Sequence, residues 1–324
     1  MMDRVRWDVG KVIDAHVHFM GVEPAPHFYE NIDLGGSAKC AILGFMPGPM
    51  NGWLLERKRE QPARFYIFGC LHHDPESVAK GDGRYLVRQV ERLLASGFDG
   101  VKMLEGKPTE RKRRIPLPFD HGYYRPFWEF VADRSVPVTA HLADPATSWN
   151  LEALRDAYRD DAPFEAYIRE AEAVLAAHPN LRISFAHFMY MSPWLDRLDG
   201  LFSRYSGMRV DLAMGNEYLY IMSSDPEAAR RFFITWQDRI LYGTDLHDDN
   251  SFRLARAKAE TIRLFLETDE VFPDLTSLAM DRPPPVVHGR VDFHGINLPP
   301  EVLEKVMALN FERFAGREPR PLPL

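Results

Sequence analysis

Short runs rich in Val, Ile, Leu and Phe punctuate the chain, and most are separated by segments whose apolar positions recur at helical spacing. Eight such runs lie at 11–18, 39–45, 64–71, 100–104, 136–142, 181–188, 208–213 and 239–246. Between them, Leu86, Val90, Leu93 and Leu94 share one helical face, as do Phe164, Tyr167, Ile168, Ala171, Val174 and Leu175. Phe252, Ala255, Ala259, Ile262 and Leu266 repeat the pattern after the eighth run. Strands alternating with amphipathic helices predict parallel βα units, and eight of them predict closure into a single-domain (β/α)8 TIM barrel spanning 1–324, distorted by long loops.

Those loops are read at 106–122, 144–162 and 273–298. The first two, with 214–224, follow the carboxyl ends of strands, where such a barrel builds its active site. Pro299 and Pro300 open a last helix through Leu303, Val306, Met307, Asn310 and Phe314; Gly316 closes it, and 319–324 form a Pro-rich tail.

Composition narrows the function. With 324 residues, 45% of them hydrophobic, the chain can bury a sizeable core. A net charge of -7 disfavours nucleic acid and anionic membranes as partners and leaves a small-molecule substrate. Cys40 and Cys70 sit in apolar runs and read as buried thiols of a reducing compartment. No run approaches the roughly 18 apolar residues of a membrane span, and 1–10 are charged without an apolar h-region. The expected location is the cytoplasm. Homo-oligomerisation is compatible with a barrel, but no unpaired apolar stripe argues for it.

Candidate chemistry begins in Ile13-Asp14-Ala15-His16-Val17-His18, where a period of two puts both imidazoles on one strand face. An isolated His-x-His is a weak signal. It gains weight because His141, His187 and Asp245 each close another predicted strand, and all carboxyl ends of a parallel barrel meet on one rim. Four imidazoles and a carboxylate gathered there call for a divalent cation.

In these segments the sequence resembles the amidohydrolase superfamily, in the branch that also contains aminocarboxymuconate semialdehyde decarboxylase and similar acid decarboxylases. The likeness rests on the strand-one motif, His141, Ala186-His187, Tyr242-Gly243-Thr244-Asp245 and the closing Leu298-Pro299-Pro300-Glu301 with Asn310. It implies a distorted (β/α)8 barrel with His16, His18, His141 and Asp245 as ligands of one metal, and His187 beside it as electrophile or proton donor. Three neutral imidazoles and a carboxylate suit Zn²⁺ and leave a position for water. Asp245 can take a proton from that water while His187 polarises a carbonyl. Hydrolysis of an amide, ester or lactone is therefore the first expectation, and non-oxidative decarboxylation of an aromatic or unsaturated acid the second. A non-catalytic metal-containing barrel is the third, and His187 argues against it.

Lys102 ends strand four. In binuclear members of the superfamily a lysine on this strand is carbamylated and bridges two metals; an ammonium that holds an anionic substrate is the preferred reading here. Asp14 is placed on the face of His16 and His18, either orienting an imidazole or binding backbone. Of His72, His73 and Asp74, adjacent on the chain, one is expected to face away from the rim. Arg111-Lys112-Arg113-Arg114 is a basic block able to draw anions to the mouth, though such runs are commonly solvated. Trp149, Asn216, Glu217 and Tyr218 are candidate substrate contacts, and Met46, Met50, Met189 and Met191 candidate pocket lining or filling.

Overall fold

The computed structural model describes residues 11–46, 48–146, 148, 158, 161–213, 216–280 and 292–323, with the side chains of Asn216 and Glu217 outside that description. Its strands are β1 (Ile13–His18), β2 (Lys39–Leu43), β3 (Phe65–Cys70), β4 (Gly100–Gly106), β5 (Val138–Leu142), β6 (Ile183–Phe185), β7 (Met208–Asp211), β8 (Ile240–Leu241) and β9 (Leu246–His247). They form one sheet in the order β8-β7-β6-β5-β4-β3-β2-β1-β9. Every pairing in it is parallel.

β8 and β9 are two ends of one run, interrupted where Asp245 takes φ 55°. β8 pairs with β7, β9 pairs with β1, and Ala15 N donates to Tyr242 O (2.9 Å) between them. The eighth strand therefore closes the cylinder on the first. Continuous burial along β1, β3, β4 and β5 is what a parallel sheet covered on both faces requires.

The register sorts inside from outside. Phe65 stacks on Tyr29 of the helix Ala25–Leu34 and so faces outward. Tyr66 and Phe68, paired with Ala41 and Leu43, face inward. Together with Ile13, Ala15 and Leu241 they pack on Phe311 and Phe314 of the carboxyl-terminal helix, 300–315. That helix lies across the amino-terminal mouth. Asn310 Nδ2 donates to Ile240 O (2.9 Å), Tyr66 Oη to Gly316 O (2.9 Å) and Arg182 to Phe314 O (3.2 Å). A π-helical turn, Lys305–Leu309, sits where Val306 O accepts from Tyr242 N (2.9 Å), so a strand amide has entered the helical ladder. The barrel floor is plugged, and the chemistry is left to the carboxyl-terminal rim.

Three expected loops contain structure. The stretch 106–122 holds the helix Pro108–Arg114, and 214–224 holds Asn216–Ser223. Near the end, Val271–Pro273 pairs antiparallel with Asp292–His294 around the helix Leu275–Ala279, while 281–291 lie outside the described residues. The first helix has no apolar period; side-chain pairing from distant elements holds it. Arg111 makes a bidentate pair with Glu170 (3.1 and 2.5 Å) and lies over the Tyr167 ring, while Arg113 and Arg114 pair with Glu110. The basic block is thus largely spent on the fold and is not a free anion funnel. Among the described residues, no helix is long and apolar enough to cross a membrane.

Candidate active site

β1 delivers the first two imidazoles, but not on a simple alternation. Asp14 and Val17, three residues apart, pair with Cys40 and Ile42, two residues apart, so β1 carries one extra residue between them. The bulge resets the phase: the alternation that sets His16 and His18 together does not extend back to Asp14. Asp14 instead accepts His16 N (3.0 Å), Thr244 N (3.1 Å) and Thr244 Oγ1 (2.6 Å), stitching β1 to the break in the eighth strand. Of the two roles weighed for Asp14, the backbone role is the one these bonds describe.

The carboxylate that orients an imidazole is Asp211, at the end of β7. His16 Nδ1 donates to Asp211 Oδ2 (2.9 Å), and Asp211 Oδ1 accepts His187 N (2.9 Å) and Ala213 N (3.0 Å). His18 Nδ1 donates to Leu43 O (2.8 Å), and His187 Nδ1 to Ala213 O (3.2 Å). These acceptors fix all three rings with the proton on Nδ1, leaving each Nε2 a lone pair to accept, that of His16 already facing the Lys102 ammonium (3.3 Å).

The free nitrogens converge. His16 Nε2 and His18 Nε2 stand 3.1 Å apart, and Asp245 Oδ1 lies 3.5 and 3.4 Å from them. Two neutral imidazoles with both Nδ1 protons committed cannot share a hydrogen bond through Nε2. Protonating either is opposed: burial, then the Lys102 charge, holds His16 well below its ordinary pKa, and burial also lowers His18. Burial would raise Asp245, but His18, His247 and Lys258 hold it well below the usual carboxylate range. Facing lone pairs beside an ionised carboxylate are satisfied by a cation between them, and this donor set fits a divalent metal. Two donor groups share Asp245, namely His16, His187 and Asp245, and His18, Asp245 and His247, each with its ligand atoms within 4.8 Å.

Lys102 supplies the nearest positive charge, with Nζ 3.3 Å from His16 Nε2. Burial pushes it down to about 8, against the pull of Asp211 and Asp245. His141 stands one step aside. Its ring is 4.7 Å from that of His187, but its Nε2 meets Asp144 Oδ1 (3.3 Å) and Lys107 Nζ (3.4 Å) and belongs to neither donor group.

His187 owes its position to backbone strain. His187, Phe188, Met189 and Tyr190 all have φ between 53° and 55°, a left-handed turn of four non-glycine residues, each costing about 1–2 kcal/mol. The turn ends β6 early, at Phe185, where an apolar run to 188 predicts continued strand. It stacks the Tyr190 ring on His187 (5.4 Å), while Phe45 meets His18 edge to face (5.9 Å).

The remaining expected contacts fall elsewhere. Trp149 lies outside the described residues, as do the side chains of Asn216 and Glu217, whose backbone opens the helix Asn216–Ser223. Tyr218 is buried in the wall, donating to Leu212 O and stacked on Phe188 (6.1 Å). His73 turns inward to Glu105 (2.7 Å), His72 is bonded to Tyr85 Oη (3.2 Å), and Asp74 caps the helix Pro75–Ala79. Met50 Sδ faces the amides of Phe45 and Met46. Asp211, Lys107 and His247 join the site without a motif to mark them. Of these His247 had a signal, two positions beyond Asp245 and hence on its face by strand periodicity.

A closed parallel barrel with imidazole and carboxylate donors on its carboxyl rim defines a metal-dependent enzyme class. The sequence profile of the family described as Amidohydrolase matches residues 13–316, and the chain belongs to that family. The curated relatives it resembles include a gamma-resorcylate decarboxylase of Polaromonas sp., 36% identical over 99 residues, covering 30% of this chain and 28% of the relative. Another, from Rhizobium radiobacter, is 28% identical over 221 residues, covering 62% of this chain and 65% of the relative. The matches thus span less than two thirds of either relative's length. Among solved structures, an uncharacterised TIM-barrel protein of Bordetella bronchiseptica superposes with a TM-score of 0.62 at 16% identity, covering 95% of this chain and 100% of that one. The 5-carboxyvanillate decarboxylase of Sphingomonas paucimobilis gives 0.54 at 14%, covering 94% and 98%. The solved structures share the fold, and the family match places the chain among the amidohydrolases.

Proposed function

We propose that the protein is a metal-dependent, non-oxidative decarboxylase of an aromatic or unsaturated carboxylic acid. The carrying observation is the placement of His187, an imidazole with a free Nε2 in the donor cluster, where buried Lys102 faces His16 and Lys107 faces the neighbouring His141. The sequence likeness to gamma-resorcylate decarboxylases favours this reaction over the hydrolysis expected first.

In this reading His16, His18 and Asp245 hold one divalent ion, Zn²⁺ by ligand chemistry, and His187 stands beside it with Nε2 left for proton transfer. When bound, the ion supplies a Lewis acid that anchors and polarises the acid substrate. Lys102 and Lys107 hold the anionic group, and Phe45 and Tyr190 offer aromatic faces to an unsaturated body. Burial lowers the proton affinity of His187, while Asp245 and Asp211 raise it. An entering carboxylate adds negative charge, and His187 becomes the imidazolium that delivers a proton to carbon. The C–COO⁻ bond breaks, its electron pair takes that proton, and CO₂ leaves without change of oxidation state in any cofactor. Asp211 keeps the His187 backbone in place throughout.

Hydrolysis is the second reading, favoured by Asp245, whose ionised carboxylate at the cluster can accept a proton from water. Incubating metal-loaded protein with hydroxybenzoic and unsaturated acids should release CO₂, abolished in His187→Gln. Acid release from an ester and lactone panel without CO₂ would replace the proposal with hydrolysis.

A further inference from the structure

The opposite end of the barrel carries arginines that outnumber their acids. Arg209 lies in β7, and Arg239 immediately precedes β8. Because Val210 and Ile240 are register partners, Arg209 and Arg239 stand side by side on neighbouring strands, about 4.8 Å apart along the sheet. Like charges opposed in this way destabilise a sheet. Arg182, just before β6, donates to Phe314 O (3.2 Å), and the Arg209 guanidinium lies over the Phe314 ring (5.8 Å). Arg313, the neighbour of Phe314, brings a fourth guanidinium from the helix that plugs the floor.

The facing acid is Asp238, and it is already engaged by Arg313 (2.5 Å) and Lys305 (3.2 Å). Arg209 spends Nη1 on Gly207 O (3.0 Å), and its buried Nε has no partner among the described residues. The Arg239 guanidinium makes no hydrogen bond or ion pair with a described residue; only its backbone is bonded, to Trp236 O (2.8 Å) and Val210 N (3.0 Å). Burial, then Arg239, Arg182 and Arg313, pull Arg209 down to about 10 in spite of Asp238. Four arginines and a lysine against one aspartate, in a chain of net charge -7, form a local field that a bound anion would relieve.

We infer that the floor of the barrel is an oxyanion site, in which Arg209 and Arg239 grip a small multivalent anion of the phosphate or sulfate type, with Arg182 and Arg313 at its edge. Adjacent planar guanidiniums with unused N–H groups match tetrahedral oxyanions, each able to form two parallel bonds. The site is remote from the rim and independent of the proposed reaction.

The test is a thermal melt of metal-loaded full-length protein titrated with sodium sulfate or inorganic phosphate, against sodium chloride at matched ionic strength. The expected result is a saturable rise in melting temperature beyond that in chloride, with half-saturation shifted roughly ten-fold or more in Arg209→Gln and in Arg239→Gln. Lys102→Met, altered at the other end, should respond as the unmodified protein does. If Arg209→Gln fails to fold, Arg239→Gln, on a less buried residue, carries the test. No saturable effect beyond chloride overturns the inference, as does undiminished binding in both arginine variants. Self-association lost in Arg239→Gln and insensitive to sulfate also overturns it, by making this face a contact between copies.

Discussion

Lys102→Met should make the protein more stable and less active at once. The lysine is almost fully buried, 2% exposed, and among the described residues no carboxylate pairs with its ammonium. Its folded-state pKa of about 8 lies below the ordinary 10.5, so the charged form is disfavoured by folding. At about 1.36 kcal/mol per decade, that gap is about 3 kcal/mol borne by the folded protein at pH 7. A methionine fills nearly the same volume without the charge. In chelator-treated protein, Lys102→Met should therefore gain about 3 kcal/mol at pH 7, a rise of about 4–5 °C in melting temperature for a chain of this length.

The pH dependence tests the cause. Between about 8 and 10.5 the unfolded lysine holds a proton that the folded one has released, so the unmodified protein gains stability as pH rises through that window. The advantage of the variant should be full below pH 8 and gone near pH 10.5. Paired melts of the two proteins cancel the titration of all other groups. A variant destabilised at pH 7, or an advantage that persists unchanged to pH 10.5, would refute the desolvation argument. Loss of turnover alongside the gained stability would mark Lys102 as a charge retained for substrate.

Two further substitutions address the donor cluster. Asp211→Asn keeps an oxygen for the His187 and Ala213 amides, but its Nδ2 cannot accept the His16 Nδ1 proton. Metal affinity, read by chelator competition, should fall roughly 10–100-fold with unchanged helical circular dichroism, and an unaltered affinity would remove Asp211 from the site. His141→Gln and His187→Gln should both retain the metal held by His16, His18 and Asp245, because the His141 Nε2 is engaged by Asp144 and Lys107 and that of His187 is kept for the proton. Metal lost in His141→Gln but kept in His187→Gln, measured by metal content after dialysis, would favour the ligand set that the family resemblance implies.

The barrel was legible because parallel strands buried on both faces are continuous apolar runs, and its rim was legible because imidazoles and a carboxylate end those runs. What stayed hidden depends on partners far away in the chain. Nothing in Asp14-Ala15-His16-Val17 announces a bulge, which appears only when the strand is set against Cys40 and Ile42. The 181–188 run reads as strand throughout, yet the backbone turns left-handed at His187, where Asp211, 24 residues on, takes its amide. Asp211 itself is an acid inside an apolar run and gives no sign of being a rim residue. The helix Pro108–Arg114 looks like a solvated basic loop until Glu170, from another helix, is brought against Arg111.

Strain and buried carboxylates are found together at this rim, and that pairing explains how the site is held before any ligand arrives. Ala143, the residues from His187 to Tyr190, and Asp245 all have positive φ, and they follow the ends of β5 and β6 or break the eighth strand. Such conformations persist only where the surroundings over-determine them. Buried aspartates tie the surrounding backbone: Asp211 takes the amide of strained His187 and that of Ala213, Asp14 those of His16 and of Thr244 beside Asp245, and Asp248 those of Met20, Val22 and Glu23 beyond β1. Each spends carboxylate lone pairs on backbone N–H groups that neighbouring strands cannot reach. The imidazoles are therefore positioned by backbone geometry and not only by their own rotamers, so weakening an aspartate should disperse the cluster even though the aspartate touches no substrate.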